Sequence, residues 1–238
     1  MMNTFGALEA YVIKAVGDME FITVGPFLPS LSLPGMDVFK PDNKGYMKWL
    51  DSKPERSVVY VSFGTISVIK KQQLEEILKG LRESGKPYLW VVRKDNREEG
   101  VELEDGENGM VVEWCSQVKV LSHPSVGCFV THCGWNSTLE SVKCGVPTVG
   151  VPQWSDQGIN AKLVEMWGTG VRSEVNKEGV LKGRELRRCL EVVTGEGESG
   201  VEIRRAGISR DGAHEAVREG GSSDVNLKAF MEKIAIND

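Results

Sequence analysis

Four residue types that can do chemistry crowd the stretch "THCGWNSTLESVKCGVP" (131–147): His132, Cys133, Ser137 and Glu140. They could serve as a metal site, a nucleophile or an anion grip. A metal site would draw on Cys128, His132 and Cys133, but no CxxC or HxxxH pair accompanies them, so this reading is weak. A serine nucleophile of the hydrolase type would sit in GxSxG, which the chain lacks. An anion grip needs only a strand that ends near His132 and a helix that starts near Asn136, with Gly134 letting the backbone turn and approach a ligand. The first N–H groups of such a helix have no internal partner and carry partial positive charge. Asn136 and Ser137 can cap that helix or donate to phosphate oxygens, and His132 adds a donor at the same rim. A competing reading needs no ligand: Ser137-x-x-Glu140 is also a capping-box pattern, and a single histidine at a strand end is more often simply hydrogen-bonded.

The flanks add two further groups. Trp114, at the end of "MVVEW" and before "CSQ", puts an indole at the same sheet edge, where its face can stack on a base. In "PQWSDQ", Asp156 and Gln157 place a carboxylate beside an amide after a strand, a pairing suited to vicinal sugar hydroxyls. Each has an ordinary alternative, a core tryptophan and a helix N-cap respectively.

The elements that must position these residues follow from periodicity. "SVVYVSFG" (57–64), "KPYLWVVR" (86–93), "MVVEW" (110–114), "VGCFVTH" (126–132) and "VPTVGVP" (146–152) read as short apolar strands. "KKQQLEEILKGLRES" spaces Leu74, Ile77, Leu78 and Leu81 as a helix, and "GWNSTLESVKCG" is helix-sized. From about residue 183 the chain reads as helical, closing with "SSDVNLKAFMEKI", where Ser222 to Asp224 act as caps and Leu227, Phe230, Met231 and Ile234 form an apolar stripe. Strands alternating with helices predict an α/β fold: a Rossmann-like parallel sheet with helices on both faces. In such sheets ligands bind beyond the carboxyl ends of the strands, where the residues above fall. Four of the nine prolines lie in "GPFLPSLSLPGMDVFKP", so 25–55 reads as a linker, preceded by a stretch (1–24) too short to be a domain.

Bulk properties narrow the class. The 40% hydrophobic and 26% charged content are those of a globular protein, and no apolar run is long enough for a membrane span. A net charge of −5 argues against a broad nucleic-acid surface while leaving room for a local anion site. The N-terminus shows no signal-peptide pattern, and five irregularly spaced cysteines suit reduced thiols; both predict a cytoplasmic protein. No GxGxxG follows a strand, which disfavours a dehydrogenase.

From Trp114 to Gln157, "WCSQVKVLSHPSVGCFVTHCGWNSTLESVKCGVPTVGVPQWSDQ" resembles, without gaps, the signature box of plant UDP-sugar-dependent glycosyltransferases of family 1, which glycosylate small secondary metabolites. Weaker resemblance covers nearly all the rest, from "NTFGALE" through "SVVYVSFGT" to "GGSSDVNLKAF". The resemblance implies the C-terminal half of a GT-B type two-domain fold. Residues 1–24 would be the tail of an acceptor domain, 56–220 the donor-binding domain, and 221–238 a helix docking on the other half. It implies that Trp114 stacks on uracil, Cys115 contacts its edge through the backbone, and Gln117 lies near the ribose. Glu140 would hold the ribose hydroxyls. His132, Asn136, Ser137 and Thr65 would contact the diphosphate, with Gly134 at the turn, and Trp135 would lie beside the sugar. Asp156 and Gln157 would bind the sugar hydroxyls, the glutamine pointing to UDP-glucose.

The implied reaction is an inverting transfer with UDP-glucose as co-substrate, needing no metal or other cofactor. The implied partners are the UDP-sugar and a phenolic, flavonoid, anthocyanin or carboxylic acid acceptor, with no nucleic acid and no membrane. The acceptor and the catalytic histidine would belong to the other half: the histidines present, 123, 132 and 214, all fall in the donor half and none matches the base. UDP binding without transfer is therefore expected of this chain alone. A non-catalytic nucleotide-binding module is the alternative. One departure from the family pattern is "RRAGISRDGAHEAV", which lacks an expected tryptophan and carries Gly207 and Gly212 inside an expected helix.

Overall fold

A computed structural model describes residues 1–15, 21–27, 44–96, 103, 105, 108–195, 203 and 208–235. Six strands, β1 (Val58–Ser62), β2 (Tyr88–Val91), β3 (Gly109–Val112), β4 (Val126–Thr131), β5 (Thr148–Gly150) and β6 (Gly170–Arg172), form one sheet in the order β3-β2-β1-β4-β5-β6. Every pairing is parallel. The order reverses between β1 and β4, and a crevice opens beyond their carboxyl ends at such a switch point.

Alternation along the strands assigns residues to two cores. Val59 and Val61 of β1, Trp90 of β2 and Val130 of β4 face helices α3 (Lys71–Glu83) and α7 (Gly183–Thr194), whose Leu74, Ile77, Leu81, Leu186 and Leu190 complete that layer. Gly80 and Gly183 let the two helices touch: a Cβ on Gly80 would come within 2.7 Å of the Gly183 carbonyl oxygen. Val58 and Tyr60, with Leu89 and Phe129, face the other way onto α2 (Tyr46–Asp51) and α4 (Gln117–Leu121). Strands buried on both faces have no polar side, which is why they read as continuous apolar runs.

The structure departs from the sequence reading in several places. Helix α2 lies inside the proline-rich stretch 25–55 read as linker; residues 28–43 of that stretch lie outside the described residues. Tyr46 and Leu50, four apart, are buried in the second core, so the chain from 46 packs with the sheet. Strand β3 ends at Val112, two residues before Trp114. Helix α4, helix α6 (Gln157–Met166) and strand β6 were not separately legible.

A third cluster joins both ends of the chain to α5 (Trp135–Cys144). Phe5 and Leu8, at and inside α1 (Gly6–Ala15), pack on Leu139 and Val142 and on Ala213 and Ala216 of α8 (Ile208–Val217). Gly212 faces Phe5, where a Cβ would sit 3.3 Å from the ring, so contact with the N-terminal segment explains that glycine; Gly207 lies outside the described residues. Helix α9 (Ser222–Ala235) is tied to the same segment: Ser223 donates to the Gly25 carbonyl (2.6 Å) and Asn226 to the Thr23 carbonyl (2.8 Å). Of its apolar residues, Val225, Met231 and Ile234 are exposed.

Candidate functional site

The crevice is built from the turns that follow β1, β3, β4 and β5. After β1, Phe63 is buried and Gly64 turns at φ +73°, carrying Thr65 to the exposed rim. Arg93 and Asn96 hold this turn from behind. Arg93 donates to the Gly64 and Ser67 carbonyls (both 3.4 Å), while the Asn96 side chain bonds the Ser67 carbonyl (2.9 Å) and the Ile69 N–H (3.1 Å). Neither residue stood out in the sequence, because each acts on backbone about 26 to 29 positions away.

After β4 the turn falls on Cys133, not Gly134. Cys133 adopts φ +61°, while Gly134 is extended at φ −59°, ψ 146° and serves as N-cap of α5. The glycine is needed for room: a Cβ on Gly134 would lie 2.6 Å from His132 Nε2, and one on Gly64 2.8 Å from the same atom. The imidazole is thus held between two glycines, with Nδ1 3.3 Å from the Thr131 hydroxyl. When that hydroxyl donates to Nδ1, Nε2 carries the hydrogen and can donate to an anion. Burial lowers the His132 pKa to about 4, only partly opposed by the charge of Asp156, so the ring is neutral near pH 7. Burial also pushes the Cys133 thiol up to about 12, and all five cysteines are free, so Cys133 is packing rather than nucleophile. Among the described residues no group of three or more His, Cys, Asp or Glu side chains could hold a metal ion.

Helix α5 starts at Trp135, and its first internal bond runs from Thr138 N–H to the Gly134 carbonyl (3.0 Å). The N–H groups of Trp135, Asn136 and Ser137 precede it and have no acceptor within the helix. Asn136 is exposed there. The Trp135 indole points elsewhere: Nε1 donates to the Asn3 carbonyl (2.8 Å) and the ring meets Trp167 edge-on at 6.4 Å. Only its backbone is at the helix mouth.

Ser137 is the third residue of α5, not its cap, so the capping-box geometry does not form. Ser137 and Glu140 instead converge on one partner. Gln117, the first residue of α4, donates to Glu140 Oε2 (2.6 Å) and to Ser137 Oγ (3.0 Å). Its carbonyl oxygen accepts from the Tyr60 hydroxyl (3.3 Å), which also meets Cys115 Sγ at 3.4 Å. Burial raises the Glu140 pKa, and the bond from Gln117 works against that rise. Trp114 is half-buried just upstream, and the turn after it is fixed by Ser116 N–H donating to the Tyr46 hydroxyl (3.3 Å). Tyr46 and Tyr60 were missed because their phenolic tips reach the site from α2 and from inside β1. The visible signal was a tyrosine in each of two otherwise apolar patterns.

After β5, Ser155 turns at φ +59° and α6 begins at Gln157. Asp156 precedes α6, yet its carboxylate makes no cap bond; it is exposed and accepts from Asn160 Nδ2 (2.8 Å). Gln157 is buried, its carbonyl oxygen held by the N–H groups of Gln153 (2.9 Å) and Trp154 (3.2 Å), which leaves its NH₂ to offer. Thus Gln117, Ser137 and Glu140 meet through hydrogen bonds, with Cys115 joined to them through Tyr60; His132 is held between Gly64 and Gly134; Asp156 and Gln157 stand at the start of α6; Thr65 and Asn136 are exposed; and the Trp135 indole is bonded to Asn3.

The parallel sheet, whose order reverses between β1 and β4, defines a Rossmann-like α/β fold, that of one half of a GT-B type protein. The family model described as "UDP-glucoronosyl and UDP-glucosyl transferase" matches residues 1–196. The chain therefore belongs to the UDP-glycosyltransferases, in the family 1 branch of plants. It is 51% identical to crocetin glucosyltransferase of Gardenia jasminoides over 98% of this chain and 53% of the relative, and 52% identical to phloretin 4'-O-glucosyltransferase of Malus domestica over 99% and 54%. Os79 of O. sativa, solved in complex with UDP, superposes with a TM-score of 0.88 at 39% identity over 97% of this chain and 54% of that one. UGT2 of Phytolacca americana, complexed with UDP-2fluoro-glucose and pterostilbene, gives 0.81 at 33% identity over 97% and 52%. The chain spans about half the length of the curated relatives it matches. Among the described residues no helix is long and apolar enough to cross a membrane.

Proposed function

We propose that this chain is the donor-binding half of an inverting glucosyltransferase of small plant metabolites, that it binds UDP-glucose without a metal, and that it works in the cytosol. The observation that carries the reading is the meeting of Gln117, Ser137 and Glu140 beside the open N-terminus of α5 and the neutral imidazole of His132. Uracil stacks on Trp114, the Glu140 carboxylate accepts from the ribose diol, and the diphosphate meets the first N–H groups of α5 with His132 Nε2–H and Thr65. Asp156 and Gln157 take the glucose hydroxyls. An acceptor oxygen attacks the anomeric carbon as its bond to the UDP oxygen breaks, and the helix N-terminus stabilises the charge gathering on UDP.

The proton of the acceptor needs a base that these residues do not offer. His123 is bonded to Ser125 (2.8 Å) and Asp51 (3.1 Å) at the opposite end of β4, and His214, on α8, faces the Lys143 carbonyl of α5 (3.1 Å). His132 is neutral but faces the phosphates. The chain alone is therefore a binder with little or no transfer activity. Calorimetry in excess chelator, with UDP, UDP-glucose and NAD as titrants, tests the donor reading: binding of UDP and UDP-glucose with none of NAD is expected. Metal-dependent UDP binding or a preference for NAD would overturn it. Rapid glucosylation of a phenolic acceptor by the purified chain would overturn its inactivity.

A further inference from the structure

Asn160 lies three residues beyond the signature stretch, is 4% exposed, and uses both hydrogens of its side-chain amide. One goes to the Cys133 carbonyl (2.9 Å), on the turn that aims His132 and the start of α5. The other goes to Asp156 Oδ2 (2.8 Å), an otherwise exposed carboxylate on a different loop. Cys133 sits in the left-handed region, which an L-residue holds only when its surroundings fix it. Its side chain is fixed by packing against Gly150, where a Cβ would lie 2.9 Å from Sγ, and its carbonyl by Asn160. Asn160 is itself anchored, since its N–H donates to the Asp156 carbonyl (3.0 Å) in the first turn of α6.

We propose that Asn160 is a positioning residue that couples the diphosphate turn to the sugar-binding carboxylate, so that the hexose and the phosphates are read as one unit. This rests on the donor reading above. A rotation of the Asp156 carboxylate toward a sugar hydroxyl pulls on the same amide that holds the Cys133 carbonyl, and a shift of the turn moves Asp156 in return.

The test is a set of dissociation constants for UMP, UDP and UDP-glucose in the parent, Asn160→Ala, Asp156→Ala and the double variant. Asn160→Ala is expected to raise the ratio Kd(UDP-glucose)/Kd(UDP) by about fivefold, the size of one lost hydrogen bond, and to leave UMP affinity within about twofold. In the Asp156→Ala background the same substitution leaves that ratio unchanged, because the coupling has already been cut. An unchanged ratio in Asn160→Ala, or equal effects in both backgrounds, overturns the proposal. A uniform loss for all three ligands together with a lowered Tm marks a purely structural role and also overturns it. Should Asn160→Ala fail to fold, the side-chain amide resonance of Asn160 in the parent decides: it shifts when UDP-glucose replaces UDP, and an unmoved resonance refutes the coupling. If the parent binds no UDP, the donor reading fails; if it binds both ligands and the ratio is insensitive to Asn160, only the coupling fails.

Discussion

Replacing Glu140 with glutamine separates a ligand clamp from a purely structural acceptor for Gln117. Glu140 is 8% exposed, and its carboxylate accepts from Gln117 Nε2 at 2.6 Å. The net effect of its surroundings is to raise its pKa, with desolvation the largest cause, so the fold disfavours its charge. The folded protein then binds more protons than the unfolded chain between the ordinary carboxylate range and the raised value. Parent stability therefore falls as pH rises through that window, and Glu140→Gln lacks this fall. The amide is neutral, nearly isosteric and still able to accept from Gln117, so the variant should melt at or above the parent temperature at pH 8. Binding should move the other way. A carboxylate can accept from both ribose hydroxyls, whereas the amide offers one acceptor oxygen, so one charge-assisted bond is lost. At about 1.5–3 kcal/mol, UDP affinity drops roughly 10- to 150-fold. The assay pairs thermal melts at pH 5 and pH 8 with calorimetry against UDP and 2'-deoxy-UDP. The variant should also lose the parent's preference for the 2'-hydroxyl. A variant that melts lower at every pH while keeping parental UDP affinity would refute the clamp.

Trp114→Ala is expected to cost UDP about 1–3 kcal/mol, the worth of base–aromatic stacking, while inorganic diphosphate binds as before; equal UDP affinity in calorimetry would sink the stacking role. Gly134→Ala drives a methyl group to 2.6 Å from His132 Nε2, so it should destabilise the fold by about 1–3 kcal/mol and weaken UDP binding, both measurable by denaturant titration and calorimetry. His132 has a folded pKa near 4 against an ordinary 6.5, so its contribution to stability is fully present above pH 6.5 and lost as pH falls through about 4. In melts across that range His132→Gln should lose less stability on acidification than the parent; parallel curves would contradict a buried neutral imidazole.

Much of this protein was decided by local pattern. Apolar strands buried on both faces alternate with helical spacing, and that rhythm alone dictates a parallel sheet. The residue types in Trp114 to Gln157 carried the donor reading because each role rests on a side chain's own chemistry. What spacing could not settle was which partner each group would choose. Ser137 and Glu140 have the spacing of a capping box, yet α5 begins at Trp135 and Gln117 arrives from α4 to claim both. Gly134 was the natural place to turn, yet the turn fell on Cys133 and the glycine makes space for a ring. Asp156 had the type and place of a cap, yet its carboxylate is held by Asn160. Residues 46–51 lay in a proline-rich stretch but fold back to set the turn after Trp114. A sequence reveals periodicity because it is local along the chain; hydrogen-bond partners 20 or more positions apart are chosen only when packing brings their elements together.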